Sequence, residues 1–304
     1  VSADGSDWYE ARNLRDLSRT LGELELDLDA AMVAAGLTYG PDFRVRICQY
    51  DNKPALMDGI ALSGMALTGE AWTGPADASL VMHLALDDNA PTPLVRDATR
   101  LYHQVLQDAG GDPATAAHSA PGAGPGTGTA LAFDGLDDEI DCGTAINETF
   151  AENQDFTIAY WWKPAVGAFA DWQVIFGNWH YSYVVTGIVC SQTAANQLRL
   201  VAVFAEGGVN LKTADCSWSN ANDNAWHHYA LTRSGSTLNW YRDGALAKTE
   251  TNAIYTRALH TDAPLQLGRS QSCPARAEGA LDDFRLYDRA LAGPELAALF
   301  ALGS

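Results

Sequence analysis

Carboxylates are the first residues in this chain whose types and spacing could do chemistry. Asp134, Asp137 and Asp138 crowd one turn, and Asp282 and Asp283 stand together in a late apolar stretch. Acidic groups brought close repel unless a cation lies between them, and hard oxygen ligands suit Ca²⁺. These five are the candidate metal ligands; the alternative is that they are solvated or accept hydrogen bonds from turn amides. A second group is aromatic. The run from Phe169 to Tyr183 sets Trp172, Trp179, His180, Tyr181 and Tyr183 around turn residues, and Trp218 lies in the polar stretch from Cys216 to Asn224. Such rings stack on sugar faces while polar neighbours reach the hydroxyls, so these six are the candidate ligand-binding residues. The competing reading is that they cap the edge of a sheet. His227 and His228 are adjacent on an expected strand, where neighbours point to opposite faces, so they cannot chelate one ion together.

The elements that must position these groups read mostly as strands. Leu131 and Phe133 alternate with smaller neighbours, Asp134-Gly135 turns the chain, and Leu136 to Asp141 resumes it in a new direction. Trp161, Trp162, Trp226 and Trp240 fall in strand-like runs and read as core. The segment from Gly110 to Gly128, rich in Gly, Ala and Pro, is expected to be a surface loop. Pro294 to Phe300 reads as a short terminal helix.

The first 75 residues differ. Leu14, Leu17, Leu21, Leu24, Leu28, Ala31 and Ala35 recur at three- and four-residue steps, which predicts a helix with Asn13 as N-cap and Gly36 past its end; the competing reading is a strand, since Leu24, Leu26 and Leu28 alternate with Glu25 and Asp27. Phe43 to Tyr50 alternates as a strand, and Trp72 to Ala78 reads as a linker. A small α+β unit over 1–75 is expected, and its narrow leucine seam calls for a partner surface: the following sheet, other copies of the chain, or a larger particle.

With 304 residues and 47% hydrophobic composition the chain can bury a large core. The formal charge of −19 argues against nucleic acid or an anionic membrane as partner. Membrane insertion is not expected either, since no run approaches the roughly 18 apolar residues of a span. The five cysteines are odd in number. Cys190 with Cys216, or Cys142 with Cys273, could bridge in an oxidising compartment, and free buried thiols are the alternative. The chain begins at Val1 without a visible signal peptide, as a processed or trimmed product would. Asn147-Glu148-Thr149 is a formal glycosylation sequon.

Several stretches, in order, resemble the LamG-like (concanavalin A-like) jelly-roll domains. Leu80 to Asp88 is similar to the opening "L-V-x-H-x-x-L-D-D", and Gly126 to Asp138 to "G-x-x-G-T-A-L-x-F-D-G-x-D-D". Phe156 to Trp162, Ala225 to Thr232, Leu238 to Gly244 and Leu265 to Gly268 follow, and Gly279 to Leu291 closes with "G-x-I-D-D-V-R-I-Y-x-R-A-L". Residues 95–128 depart from the family's short loop. The resemblance implies a mainly β, two-layer antiparallel sandwich over 79–304 in which the closing strand, with Asp282 and Asp283, returns beside the first. It also implies calcium sites.

The same fold houses glucanases, whose retaining members need two carboxylates about 5 Å apart. Glu139-Ile140-Asp141 begins a Glu-x-Asp-x-Glu pattern, but Gly143 and Thr144 stand where the acid/base would be. The expectation is therefore no enzyme, but a recognition or adhesion protein on a cell or virion surface, binding a glycan or a surface protein and attached or self-associated through residues 1–75. The alternative is a structural virion decoration, fibre or pilus-like subunit whose jelly roll is merely displayed; least favoured is a glycan hydrolase.

Overall fold

The chain divides after Ala76 into two units, 1–76 and 77–304. The computed structural model describes residues 77–304 except 100, 109–112, 166–171, 180–185, 194–195, 207–208, 261 and 272–274. The expected helix over Leu14–Ala35, the strand at Phe43–Tyr50, and His180, Tyr181 and Tyr183 lie outside the described residues, as does Cys273.

Strand runs in order: β1 Leu80–Leu84, β2 Leu94–Val95, β3 Gln104–Gln107, β4 Ser119–Pro121, β5 Thr129–Asp134, β6 Glu139–Asp141, β7 Phe156–Pro164 and β8 Gln173–Gly177. Then come β9 Gly187–Thr193, β10 Gln197–Glu206, β11 Val209–Ser219, β12 His227–Ser234, β13 Thr237–Arg242, β14 Ala245–Thr251, β15 Gln266–Leu267 and β16 Glu278–Tyr287, followed by helix α1, Gly293–Leu302. They form two antiparallel sheets. One runs β14-β13-β12-β7-β16-β5-β4, with β1 also on β16; the other runs β11-β10-β9-β8-β15-β6-β3-β2.

Alternation along the strands builds the core between the sheets. Ile158, Tyr160 and Trp162 of β7 and Tyr229 and Leu231 of β12 point inward and meet Phe176, Ile188, Leu198, Leu200 and Phe204 of the other sheet. The intervening Ala159 and Ala230 point outward, where Leu291, Leu296 and Leu299 from and before α1 cover them. Buried indole N–H groups need acceptors: Trp162 Nε1 donates to Gln192 at 3.1 Å and Trp240 Nε1 to the Leu200 carbonyl at 3.0 Å. The β13–β14 turn has Asp243 at φ 52° and Gly244 at φ 73°, the pair of positive angles a tight hairpin requires.

Arg233 on β12 is fully buried and has no carboxylate partner among its hydrogen bonds. Its guanidinium donates instead to the carbonyls of Gln154 and Ala151 at 2.6 Å and of Arg257 at 2.7 Å, and it lies 4.9 Å from the Phe156 ring centre. It ties the loop before β7 to the turn after β14, and burial pulls its pKa down to about 10.

One expectation is corrected and two open readings are decided. The Gly110–Gly128 segment is not simply a surface loop: β4 pairs with β5, and the Gly126 N–H donates to the Leu302 carbonyl at 3.0 Å. Cys190 and Cys216 do not bridge. Both are cross-strand partners of Leu200, on opposite sides of β10, so they stand two strand spacings apart, roughly 10 Å, beyond disulfide reach. Burial pushes the Cys190 thiol up to about 12 and the Cys216 thiol to about 11. Asn147 is buried, donating to the Ala263 carbonyl and accepting from Asn178, so the sequon is inaccessible in the folded unit.

Candidate functional site

The outer face of the second sheet carries the aromatic candidate. Arg199 and Val201 of β10 alternate with core-facing Leu198 and Leu200, so Arg199 points away from the core. Trp172 begins the turn into β8 at φ 64°, a costly angle for a bulky residue. Its surface is 50% exposed, and the Arg199 guanidinium lies 5.5 Å from its ring centre. Asp215 of β11 holds that guanidinium through Nη2 at 2.8 Å and Nε at 3.2 Å. The result is a half-exposed indole with an oriented Arg–Asp pair over one face of its ring, a surface that offers a hydroxyl-rich ligand both an aromatic contact and charged hydrogen-bonding groups.

The other aromatic candidates divide. Trp179 is partly buried, packed on the small cluster of Val174, Val189, Val201 and Val203. Trp218 corrects the expectation outright: at 8% exposure it is part of the core, 5.0 Å from the Tyr229 ring. Ser217 and Ser219 took the solvent face of β11, and the alternation put Trp218 inside.

The five acidic candidates do not form one cluster. Register explains this: Glu278 pairs with Asp134 and Leu281 with Leu131, so Asp282 lies at the far end of β5 from Asp134. One oxygen each of Asp134, Asp137 and Asp138 come within 4.8 Å of one another. Two of them stabilise their own turn, Asp138 Oδ2 accepting from the Asp134 N–H at 2.8 Å and Asp134 Oδ1 from the Leu136 N–H at 2.7 Å. Burial raises the Asp138 pKa.

Asp282 and Asp283 sit on a bulge of β16, where the neighbour strand changes from β5 to β1 and Asp283 takes φ 51°. The bulge aims them apart. Asp283 accepts from Arg285 at 2.9 Å and meets His83 Nε2 at 2.5 Å; it is buried, and those partners hold its pKa below the usual carboxylate range against burial. It is therefore a structural ion pair, not a metal ligand with lone pairs to spare.

Asp282 is fully buried, and burial pushes its pKa up to about 7, with Asp283 and Asp87 adding repulsion. Its Oδ2 accepts from the Ala123 N–H at 2.8 Å and the Thr127 hydroxyl beside the carboxyl also favours its charged form, while Oδ1 makes no well-aligned hydrogen bond. Asp87, absent from the sequence-based candidates, accepts from the Thr129 N–H at 2.6 Å. Between them run Gly122 and Gly128, where a Cβ would come within 2.9 Å of Asp282 Oδ2 and 2.1 Å of Asp87 Oδ1. Two carboxylates closing on a glycine-lined backbone loop, one with an unsatisfied buried oxygen, fit a Ca²⁺ ion.

Glu139, the residue that could have begun a hydrolase pair, receives Arg269 at 2.5 Å and Arg276 at 2.8 Å on a single oxygen. Asp141 accepts from the Gly143 N–H at 2.7 Å. His227 and His228 point to opposite faces: His227 lies between Asp223 and Asp243 at 2.9 and 2.8 Å, and His228 is buried against Trp161.

Residues 134–297 match the family model described as the concanavalin A-like lectin/glucanases superfamily. The chain belongs to that superfamily. Solved structures share its jelly roll. The fourth domain of AbnA, a GH43 extracellular arabinanase from Geobacillus stearothermophilus, in complex with arabinotriose, aligns with a TM-score of 0.52 at 19% identity, over 73% of this chain and 98% of that domain. The binding domain of Paraclostridial Mosquitocidal Protein 1 aligns at 0.50 and 17%, over 71% and 52%. That of botulinum neurotoxin DC in complex with rat synaptotagmin II aligns at 0.50 and 15%, over 74% and 52%. The chain thus spans about half the length of the toxin binding domains, and at these identities the likeness is one of fold. No curated protein sequence matches the chain.

Proposed function

We propose that residues 77–304 are a non-catalytic glycan-recognition module, displayed outside the cell or on a virion surface, with residues 1–76 as its attachment or assembly unit. The observation that carries this reading is Trp172: a bulky residue held at a positive φ, half exposed, with the Arg199–Asp215 pair oriented at its ring. Backbone strain at a half-exposed aromatic residue is of the kind that clusters at ligand-binding sites. A domain of the same fold captured with arabinotriose supports a sugar as the ligand class, and another captured with synaptotagmin II makes a surface protein the competing partner. The engagement of Glu139 by two arginines supports binding without hydrolysis. A structural Ca²⁺ ion is a separate part of the proposal, away from the recognition surface. Its proposed place is at Asp87, Asp282 and the glycine-lined loop 122–128, where it would replace repulsion between the two carboxylates with coordination. The test is a glycan array probed with the full chain, run beside an assay for released reducing sugar. Binding to a defined glycan class without release is expected; release of sugar from the bound glycan overturns the non-catalytic reading.

A further inference from the structure

Strand register brings together three residues that neither the recognition surface nor the calcium loop uses. β3 pairs with β6 through Leu106–Ile140 and Gln107–Glu139, so the next positions outward, Asp108 and Asp138, are set opposite each other. β4 pairs with β5 through Ser119–Leu131, so His118, one residue before β4, falls beside Ala132. The turn joining β5 to β6 folds these two strand pairs, one from each sheet, against one another at the edge of the sandwich.

The imidazole of His118 lies between two carboxylates. Nδ1 is 3.5 Å from Asp138 Oδ1 and Nε2 is 3.7 Å from Asp108 Oδ2. Both are too long for hydrogen bonds. Nδ1 is instead 3.3 Å from the Ala132 carbonyl, the backbone contact that commonly orients a metal-binding imidazole. One atom of each of the three residues lies within 4.8 Å of the others. Donors bound to one tetrahedral ion at about 2.1 Å stand about 3.4 Å apart, so small rotations convert this spacing into coordination.

A second observation is independent of the clustering. Asp138 is 2% exposed, and its Oδ1, the oxygen facing His118, is buried with no hydrogen-bond donor. Its other oxygen already accepts from the Asp134 N–H, which fixes the direction of Oδ1. A buried carboxylate oxygen aimed at an imidazole, without a donor, wants a cation. Of the three, Asp108 also lines a cleft of about 510 Å³, with Leu106, Asp137 and Arg269.

We propose that Asp108, His118 and Asp138 bind a divalent ion of the zinc type beside this cleft. One imidazole with two carboxylates favours a borderline ion over Ca²⁺, which takes six to eight oxygens.

The full chain, stripped with chelator, is titrated with Zn²⁺ by calorimetry and with Co²⁺ by visible absorption, beside His118→Gln and Asp138→Asn. The expected result is a Zn²⁺-dependent rise in Tm, the strong absorption of four-coordinate Co²⁺, and at least a tenfold loss of Zn²⁺ affinity in each variant. His118→Gln should keep any response to Ca²⁺, which separates this ion from the one at Asp282. No Co²⁺ absorption in the wild type, or Zn²⁺ binding unchanged in both variants, overturns the proposal. Should a variant not fold, substoichiometric Co²⁺ added to the wild type decides: the NMR signals of the His118 ring broaden or shift if it is a ligand, and unperturbed signals overturn the proposal.

Discussion

The indole of Trp161 lies flat against the ring of Phe300, with centroids 5.5 Å apart and planes 24° from parallel. His228 joins them, 5.3 Å from Trp161, and this aromatic group fastens α1 to the outer face of the first sheet. Burial pulls the His228 pKa from 6.5 down to about 4. Because the folded value is depressed, the unfolded chain binds the proton first as pH falls. The stabilisation from keeping His228 neutral is present above pH 6.5 and is lost as pH drops toward 4; it is worth about 3 kcal/mol at most. His227, whose pKa is raised chiefly by Asp243, acts in the opposite sense, its contribution fading as pH rises above 6.5. Urea titrations from pH 7.5 to 4 should show His228→Phe flattening the acid limb. An unchanged limb would show that His228 does not set it.

Arg233 offers a prediction about the frame. Arg233→Met removes the guanidinium donor from the part-buried carbonyls of Ala151, Gln154 and Arg257 and should cost about 1 to 3 kcal/mol. The urea midpoint should fall with the slope unchanged. A loss under about 1 kcal/mol would mean that water replaces the guanidinium at little cost.

Much of this fold is legible in the sequence because period-two alternation and the Asp-Gly turns act locally. Leu131 and Phe133 with the Asp134-Gly135 turn are readable in that way, while Phe156 to Trp162 and Leu238 to Gly244 are readable through the family resemblance. The site was less so. Alternation does not say which face of a strand is inside, so Trp218 could not be told from Trp172. A bulge has no local signature, and the one at Asp282–Asp283 sends two adjacent carboxylates to different partners. The Asp108–Asp138 pairing depends on a register between segments distant in sequence, and β4 hides in a stretch whose composition reads as loop.

Calcium should stabilise the chain through Asp282. An ion bound only by the folded state at a hundred times its Kd adds about 2.7 kcal/mol. Differential scanning calorimetry in millimolar Ca²⁺ against chelator should show a higher Tm, abolished by Asp282→Asn and retained in Asp134→Ala. No Tm difference for the wild type ends the calcium reading.

The division after Ala76 predicts that residues 77–304, expressed alone, fold and stay monomeric. In the full chain, Leu21→Asp with Leu24→Asp should release self-association or particle attachment while the sandwich's circular dichroism persists. Light scattering reads the first and circular dichroism the second. Unfolding of the whole chain would place the leucine stripe in a shared core. A defined assembly that ignores every glycan would favour a structural subunit over a recognition module.

The most direct measurement is the affinity of the full chain and of Trp172→Ala for the glycan class that the array identifies, by isothermal titration calorimetry. Loss of one stacking ring of this kind costs about 1 to 3 kcal/mol, so the variant should bind at least fivefold more weakly while the fold is kept, since Trp172 is half exposed and alanine takes the same φ of 64° at a similar cost. Arg199→Ala should weaken binding in the same direction by loosening the indole. Equal affinity of wild type and Trp172→Ala, or no glycan bound at all, would contradict the account.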